Sequence, residues 1–164
     1  MPTAYISMGS NIRPRQNVAT ALRLLSKSFN ITGVSTVYRT KPELNKKQPQ
    51  YYNCVIAVKT NISAKELKYR FLRKIEKLLG RKWHKDKFAS RTIDLDLIAY
   101  GRLKTETAGM TLPDPEIPRR KYLAAGLGEL KYGSSARPDT SMKPLPGYTK
   151  LLRKKIKWSR ISPR

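Results

Sequence analysis

Apolar positions alternate in some stretches of the chain and recur at helical spacing in others, and each change of period marks an element boundary. Tyr5, Ile6 and Met8 lie in a short β-prone run that stops at Gly9-Ser10-Asn11, a turn tripeptide. Pro14 has the fixed φ that suits a first helical residue, and Val18, Leu22, Leu25 and Phe29 then follow as one helical stripe. Two β-rich runs come next, Ile31 to Thr40 and Tyr51 to Thr60, joined by a polar connector over 41–50 that is too long for a tight hairpin. Ser63-Ala64-Lys65-Glu66 has the form of a capping box and predicts a helix whose buried stripe is Leu67, Phe71, Ile75 and Leu78, stopped by Gly80. After a basic loop, Ile93 to Tyr100 alternates and then turns wholly apolar, as a strand running into a core does.

The order β-α-β-β-α-β predicts an α+β sandwich of ferredoxin-like plan, an antiparallel sheet with both helices on one face. A C-terminal extension follows. Residues 112–118 carry three prolines and predict irregular chain, Lys121 to Leu130 predicts a short helix, and the cations after Asp139 predict a basic helix with a fraying end. The expected division is one domain over 1–149 and a basic tail over 150–164. No internal repeat is visible.

Composition narrows the class. A chain of 164 residues with 39% hydrophobic residues can fill one core. Its 35 Lys and Arg against 11 Asp and Glu leave a formal charge of +24, which points to phosphate-bearing partners. Cys54 is the only cysteine, so no internal disulfide framework exists and a reducing compartment is expected. Without a secretory pattern or a long apolar run, the expectation is a monomeric cytoplasmic protein with no membrane association.

Asp94 and Asp96 stand two apart on the last predicted strand, which sets both carboxylates on one face about 7 Å apart. Such a pair suits Mg²⁺, whose hard charge prefers oxygen ligands. It equally suits an exposed face paired with neighbouring Lys and Arg, and spacing alone leaves both readings open. Arg81, Lys82, His84, Lys85, Lys87 and Arg91 crowd the loop before the strand. That loop would serve a polyphosphate, a nucleic acid or solvent. No Gly-x-x-x-x-Gly-Lys-Ser/Thr loop is present.

The run Lys87-Phe88-Ala89-Ser90-Arg91-Thr92-Ile93-Asp94-Leu95-Asp96-Leu97-Ile98 resembles the signature of the 6-hydroxymethyl-7,8-dihydropterin pyrophosphokinases of folate biosynthesis. The likeness extends to Gly9-Ser10-Asn11, Tyr38-Arg39-Thr40, Gln48-Pro49, Tyr51-Tyr52-Asn53 and Leu112-Pro113-Asp114-Pro115-Glu116-Ile117, in the family's order. The resemblance implies transfer of pyrophosphate from ATP to the pterin hydroxymethyl group with release of AMP. It assigns two Mg²⁺ ions to Asp94 and Asp96, catalytic phosphate contacts to Arg81 and Arg91, and ATP contacts to Glu76, Arg81, Arg91, Ile98, Asp114 and Arg120. For the pterin it assigns Tyr51 and Tyr122 as stacking rings, Asn53 as the edge reader and Thr40 at the start of a mobile loop. Trp83, Phe88 and Asp114 depart from the residues often found at their positions. The Lys-rich, apolar-poor composition of the long loop after Thr40 and of the basic loop over 81–89 predicts that both are mobile without ligand, held apart by like charge until a polyphosphate bridges them.

A competing reading is a basic RNA-binding module on the same sheet plan, or a family member that has lost activity. The alternating Gly and aromatic pattern of RNA-recognition modules is absent, so nucleic acid is not the favoured partner. Asp94, Asp96, Arg91, Tyr51 and Asn53 are all retained, which weighs against an inactive scaffold.

Overall fold

The computed structural model describes residues 1–44, 47–132 and 141–161, with side chains described as far as 156. Strand β1 (Thr3–Ser10) lies between β4 (Tyr51–Lys59) and β5 (Asp94–Tyr100), antiparallel to both. The other edge of β4 carries β2 (Asn30–Val34) and β3 (Tyr38–Thr40), and β8 (Met142–Pro144) pairs beyond β3. The result is a mixed α/β fold built on an antiparallel sheet.

Both faces of the sheet are covered, which is why Asn53 to Val58 are buried without interruption. On one face Ile6, Met8, Cys54, Ile56 and Leu97 pack against α1 (Pro14–Ser28) and the second helical segment. On the other face Tyr5, Val55, Ala57 and Ile98 pack against Leu123 and Leu127 of α4 (Lys121–Glu129). The first two predicted helices therefore share a face, and the predicted short helix closes the opposite one.

The predicted continuous run Ile31 to Thr40 is two strands. At the break, Ser35 N donates to Val55 O at 2.9 Å and the Ser35 hydroxyl accepts from Val55 N at 2.9 Å, so a side chain replaces a carbonyl in the ladder. The second helical segment is also irregular. It comprises α2 (Ala64–Glu66), a π-helical stretch Leu67–Leu72 and α3 (Arg73–Leu78) in direct succession. The wider π turn shifts the phase of the stripe: Leu72 is buried, whereas Leu78, expected inside, is 64% exposed. Ser63 caps the start by accepting from Glu66 N at 3.2 Å, but the Glu66 carboxylate turns to Arg70 instead of completing the box.

Sequence reasoning missed the small hairpin of β6 (Thr105–Thr107) and β7 (Met110–Leu112), whose turn places Gly109 at φ 88°. The expected break at 149/150 falls inside α5 (Pro146–Ile161), and Leu152 and Ile156 beyond it are buried in the main apolar cluster. No helix among the described residues is long and apolar enough to cross a membrane.

Candidate active site

The site forms where β1, β4 and β5 end together. Gly9 is the register partner of Asp94 on one side and of Asn53 on the other, so these three occupy one row across the sheet. Strand alternation then turns Tyr51 and Asn53 to the face that carries Val55 and Ala57, and Asp94 and Asp96 to the face that carries Ile98. All four therefore point to the α4 side, just past the end of that helix's cover. A cleft of about 670 Å³ opens there, lined by Thr40, Tyr51, Asn53, Arg91, Asp94, Arg120 and Tyr122 from the expected set.

At one end of the cleft, Asn53 Nδ2 donates to Thr40 Oγ1 at 2.7 Å, which fixes the amide and leaves its carbonyl oxygen beside Gly9. Burial pushes the Tyr122 phenol up to about 12 against the pull of the Arg120 guanidinium. Burial likewise raises Tyr51, opposed chiefly by Arg91. Both rings are therefore neutral, as a stacking surface for a flat heterocycle requires.

At the anionic end, Asp94 Oδ1 accepts from Arg81 Nη1 and Asp94 Oδ2 from Arg91 Nη1, each at 2.6 Å. Arg81 is also bonded to Glu76, a buried carboxylate that accepts from Leu95 N at 2.9 Å. Desolvation raises Glu76, while the Leu95 N–H and Arg81 draw it down. Burial alone would lower Arg81, and Asp94 and Glu76 overcome this to raise it. The Arg81 guanidinium lies 5.2 Å over the Trp83 ring. Asp96 pairs with Lys68 at 3.1 Å, and burial raises its carboxyl against that ammonium.

The remaining expected residues sit outside the cleft lining. Glu76 holds Arg81 from below, and Ile98 is buried in the α4-side cluster with its carbonyl accepting from Asp114 N at 2.8 Å. Asp114 uses Oδ1 to accept from Glu116 N at 2.8 Å, a turn-forming bond that orients the segment before α4. The two loops expected to stand apart are joined: Gln48 Nε2 donates to Phe88 O at 2.8 Å. Asn11 ties both to β1, donating to Pro49 O at 3.3 Å and Ser90 Oγ at 3.2 Å and accepting from Arg91 N at 2.8 Å. Gly9, Asn11 and Gln48 are thus part of the site although only the family likeness marked them. The local signal was a glycine inside a strand run, which implies close approach of a neighbour.

No group of three or more His, Cys, Asp and Glu placed to hold a metal ion occurs among the described residues. Two carboxylates on one strand face nevertheless fit Mg²⁺, which keeps waters and takes substrate phosphate oxygens beside one or two protein carboxylates. The arginines now bonded to Asp94 show that this corner already balances negative charge with cations.

The family model for 7,8-dihydro-6-hydroxymethylpterin-pyrophosphokinase matches residues 5–132. The chain is 33% identical over 130 residues to the 2-amino-4-hydroxy-6-hydroxymethyldihydropteridine pyrophosphokinase of Bacillus subtilis, covering 77% of each protein. It is 32% identical over 155 residues to the folic acid synthesis protein fol1 of Pneumocystis carinii, covering 93% of this chain and 20% of that protein, so it spans about a fifth of that relative's length. A crystal structure of Plasmodium falciparum HPPK-DHPS superimposes with a TM-score of 0.61 over 94% of this chain and 45% of that one, at 14% identity, a likeness of fold.

Proposed function

The chain belongs to the 7,8-dihydro-6-hydroxymethylpterin-pyrophosphokinase family, and from that premise we propose that it transfers pyrophosphate from ATP to 6-hydroxymethyl-7,8-dihydropterin, releasing AMP, as a step of folate biosynthesis. The observation that carries the reading is the single cleft in which Asn53, Tyr51 and Tyr122 meet Asp94, Arg91 and Arg120. A flat heterocycle and a polyphosphate would be held there end to end.

In this reading Tyr51 and Tyr122 stack the pterin, and Asn53, fixed by Thr40, reads its edge with one donor and one acceptor. Arg91 and Arg120 hold phosphates from the cleft wall, and Arg81 approaches from beneath Asp94. Asp94 and Asp96 would hold two Mg²⁺ ions, whose charge would stabilise the polyphosphate during the transfer. Arg81 and Arg91 serve as counterions to Asp94 before substrate arrives and are free to turn to phosphate afterwards. Glu76 keeps Arg81 within reach through its bond to Leu95 N. The chain supplies no covalent nucleophile; it positions the hydroxyl and the polyphosphate and excludes water.

The same reading treats the chain through β5 as a ferredoxin-like unit, supported by the strand order β5-β1-β4 with β2 and β3 at the far side of β4. It takes the protein to be a monomer in the cytoplasm, and the free thiol of Cys54 supports a reducing compartment. The test is incubation with ATP, Mg²⁺ and the hydroxymethyl dihydropterin. Formation of AMP and pterin diphosphate in equal amounts is expected, and formation of ADP or no turnover would reject the assignment.

A further inference from the structure

The pyrophosphoryl transfer does not use the most unusual property of this chain, the placement of its charge. Every acidic residue falls between 43 and 139, so the segments before and after carry cations only. The fold packs these two acid-free segments together. Helices α1 and α5 lie side by side, with Tyr148 Oη donating to Arg15 O at 2.5 Å and the Arg15 guanidinium 5.0 Å over the Tyr148 ring.

Between the two helices runs a second groove of about 410 Å³, which shares no residue with the substrate cleft. Its floor includes Leu22, Leu151 and Ile156, and its rim carries Arg23, Lys154 and Lys155. Leu151 is 39% exposed in it. Arg23, Lys154 and Lys155, with Lys27 and Lys150 beside them, are exposed and have no carboxylate partner among the described residues. Leaving so many like charges together disfavours the compact state unless a polyanion covers them.

We propose that the α1/α5 groove is a docking surface for single-stranded RNA, with phosphates on the cationic rim and a base against the exposed Leu151. Lys150 and Lys154 stand one helical turn apart, about 6 Å along the axis, close to the phosphate repeat of an extended strand. Leu22 and Ile156 are 2% and 9% exposed, so a flat bilayer finds little apolar surface here beyond Leu151, whereas phosphates reach the cations of the rim. The hydroxyls of Thr20 and Ser26 line the groove and offer partners for a ribose 2′-hydroxyl. Binding would follow charge rather than base sequence.

Fluorescence anisotropy with the full chain and a labelled oligouridylate of about 16 nucleotides tests this. With the five cations engaged, affinity should fall about a hundredfold between roughly 50 and 200 mM salt, because each phosphate contact in a single strand contributes about 0.7 to the log–log slope. Lys154→Glu with Lys155→Glu should weaken binding at least about tenfold and flatten that slope while AMP formation stays unchanged. Arg23→Glu, on the other helix, should do the same to a smaller degree. The proposal is overturned if these variants bind RNA like the parent, if the matching DNA strand binds as tightly, or if phosphatidylserine vesicles displace the RNA. Because the readout is RNA binding and the variants lie outside the cleft, its failure is separable from failure of the pyrophosphokinase assignment.

Discussion

Gly9 on β1 and Asn53 on β4 are register partners packed so closely that a Cβ on Gly9 would stand 2.4 Å from Asn53 Oδ1. Gly9→Ala must therefore move the amide away from Thr40, to which Asn53 Nδ2 donates at 2.7 Å. The expected loss is about 1–3 kcal/mol, the usual cost of overpacking, taken mainly from pterin affinity. Calorimetric titration should show weaker pterin binding with ATP binding kept. Unchanged pterin affinity would place the heterocycle elsewhere.

Asn53→Ala removes the donor and acceptor but opens the same space, so it separates recognition from packing. Pterin affinity should fall by about 1–3 kcal/mol, the cost of leaving a buried polar edge unpaired. ATP affinity should change little, and equal losses for both ligands would show that Asn53 does not face the pterin.

The two aspartates should differ in stability while sharing a loss of turnover. Either change to Ala removes charge stabilisation at the phosphates and should cost about two to three orders of magnitude in rate. Bare carboxylates would repel, and removing one would then relieve strain; here each has its own cation. Asp94→Ala leaves Arg81 and Arg91 without a shared acceptor and should destabilise the fold by about 1–3 kcal/mol. The Asp96 side chain is 42% exposed and pairs with one lysine, so Asp96→Ala should stay within about 1 kcal/mol of the parent. Thermal melts and AMP formation measure the two effects separately.

Much of this site was legible because it is local. The alternation around Asp94 and Asp96, the helix start at Pro14 and the stop at Gly80 are fixed by near neighbours, and the structure has α1 begin at Pro14 and Gly80 adopt φ 73°. What sequence reasoning missed depends on residues far along the chain. The break after Val34 exists because Ser35 bonds to Val55, and the hairpin tip at Gly109 meets Tyr69, whose hydroxyl donates to Gly109 O at 3.0 Å. Leu78 is exposed because a π turn, which no periodicity announces, rotates the stripe.

The far end of α5 illustrates the same limit, since a run of cations reads as a solvated tail until Leu152 and Ile156 are seen in the core. Ending the chain at residue 149 removes both. The loss of a buried leucine alone costs about 2–5 kcal/mol, so the shortened protein should unfold at clearly lower denaturant concentration. An unchanged midpoint would mean that α5 does not contribute to the core in solution.

Glu76 gives the fold a defined pH dependence. Burial raises its carboxyl above the ordinary 4.5, so between those two values the folded chain holds a proton that the unfolded chain has released. Stability from this group is therefore full below 4.5 and declines as pH rises through the raised folded value. Glu76→Gln keeps acceptors for Leu95 N and Arg81 but has no proton to lose. Denaturation measured from about pH 4 to 7 should show a flatter profile for the variant than for the parent. Parallel profiles would remove Glu76 as the cause.

Gln48 and Phe88 join the two loops that frame the cleft, and the bond is neutral, from Gln48 Nε2 to Phe88 O at 2.8 Å. The sequence suggested that like charges would hold these loops apart, yet an amide and a carbonyl bridge them without bringing cations together, and Asn11 pins both to β1. Closure then does not wait for substrate; substrate adds to a contact that already exists. Gln48→Ala removes the direct bridge but leaves Asn11 and the cleft side chains in place. Amide exchange at 47–50 and 87–91 should accelerate in the free variant, because local opening of loops with little core contact is governed by such bonds. With ATP analogue and pterin bound, polyphosphate should bridge Arg91 and Arg120 and restore protection close to that of the parent. The kinetic cost should fall on KM, since binding must now also order the loops, while kcat stays within about threefold if chemistry or release is unaffected. If exchange in the free variant equals that of the parent, the Gln48–Phe88 bond does not couple the loops. If protection fails to return with both ligands bound, the bridging role of the polyphosphate is wrong.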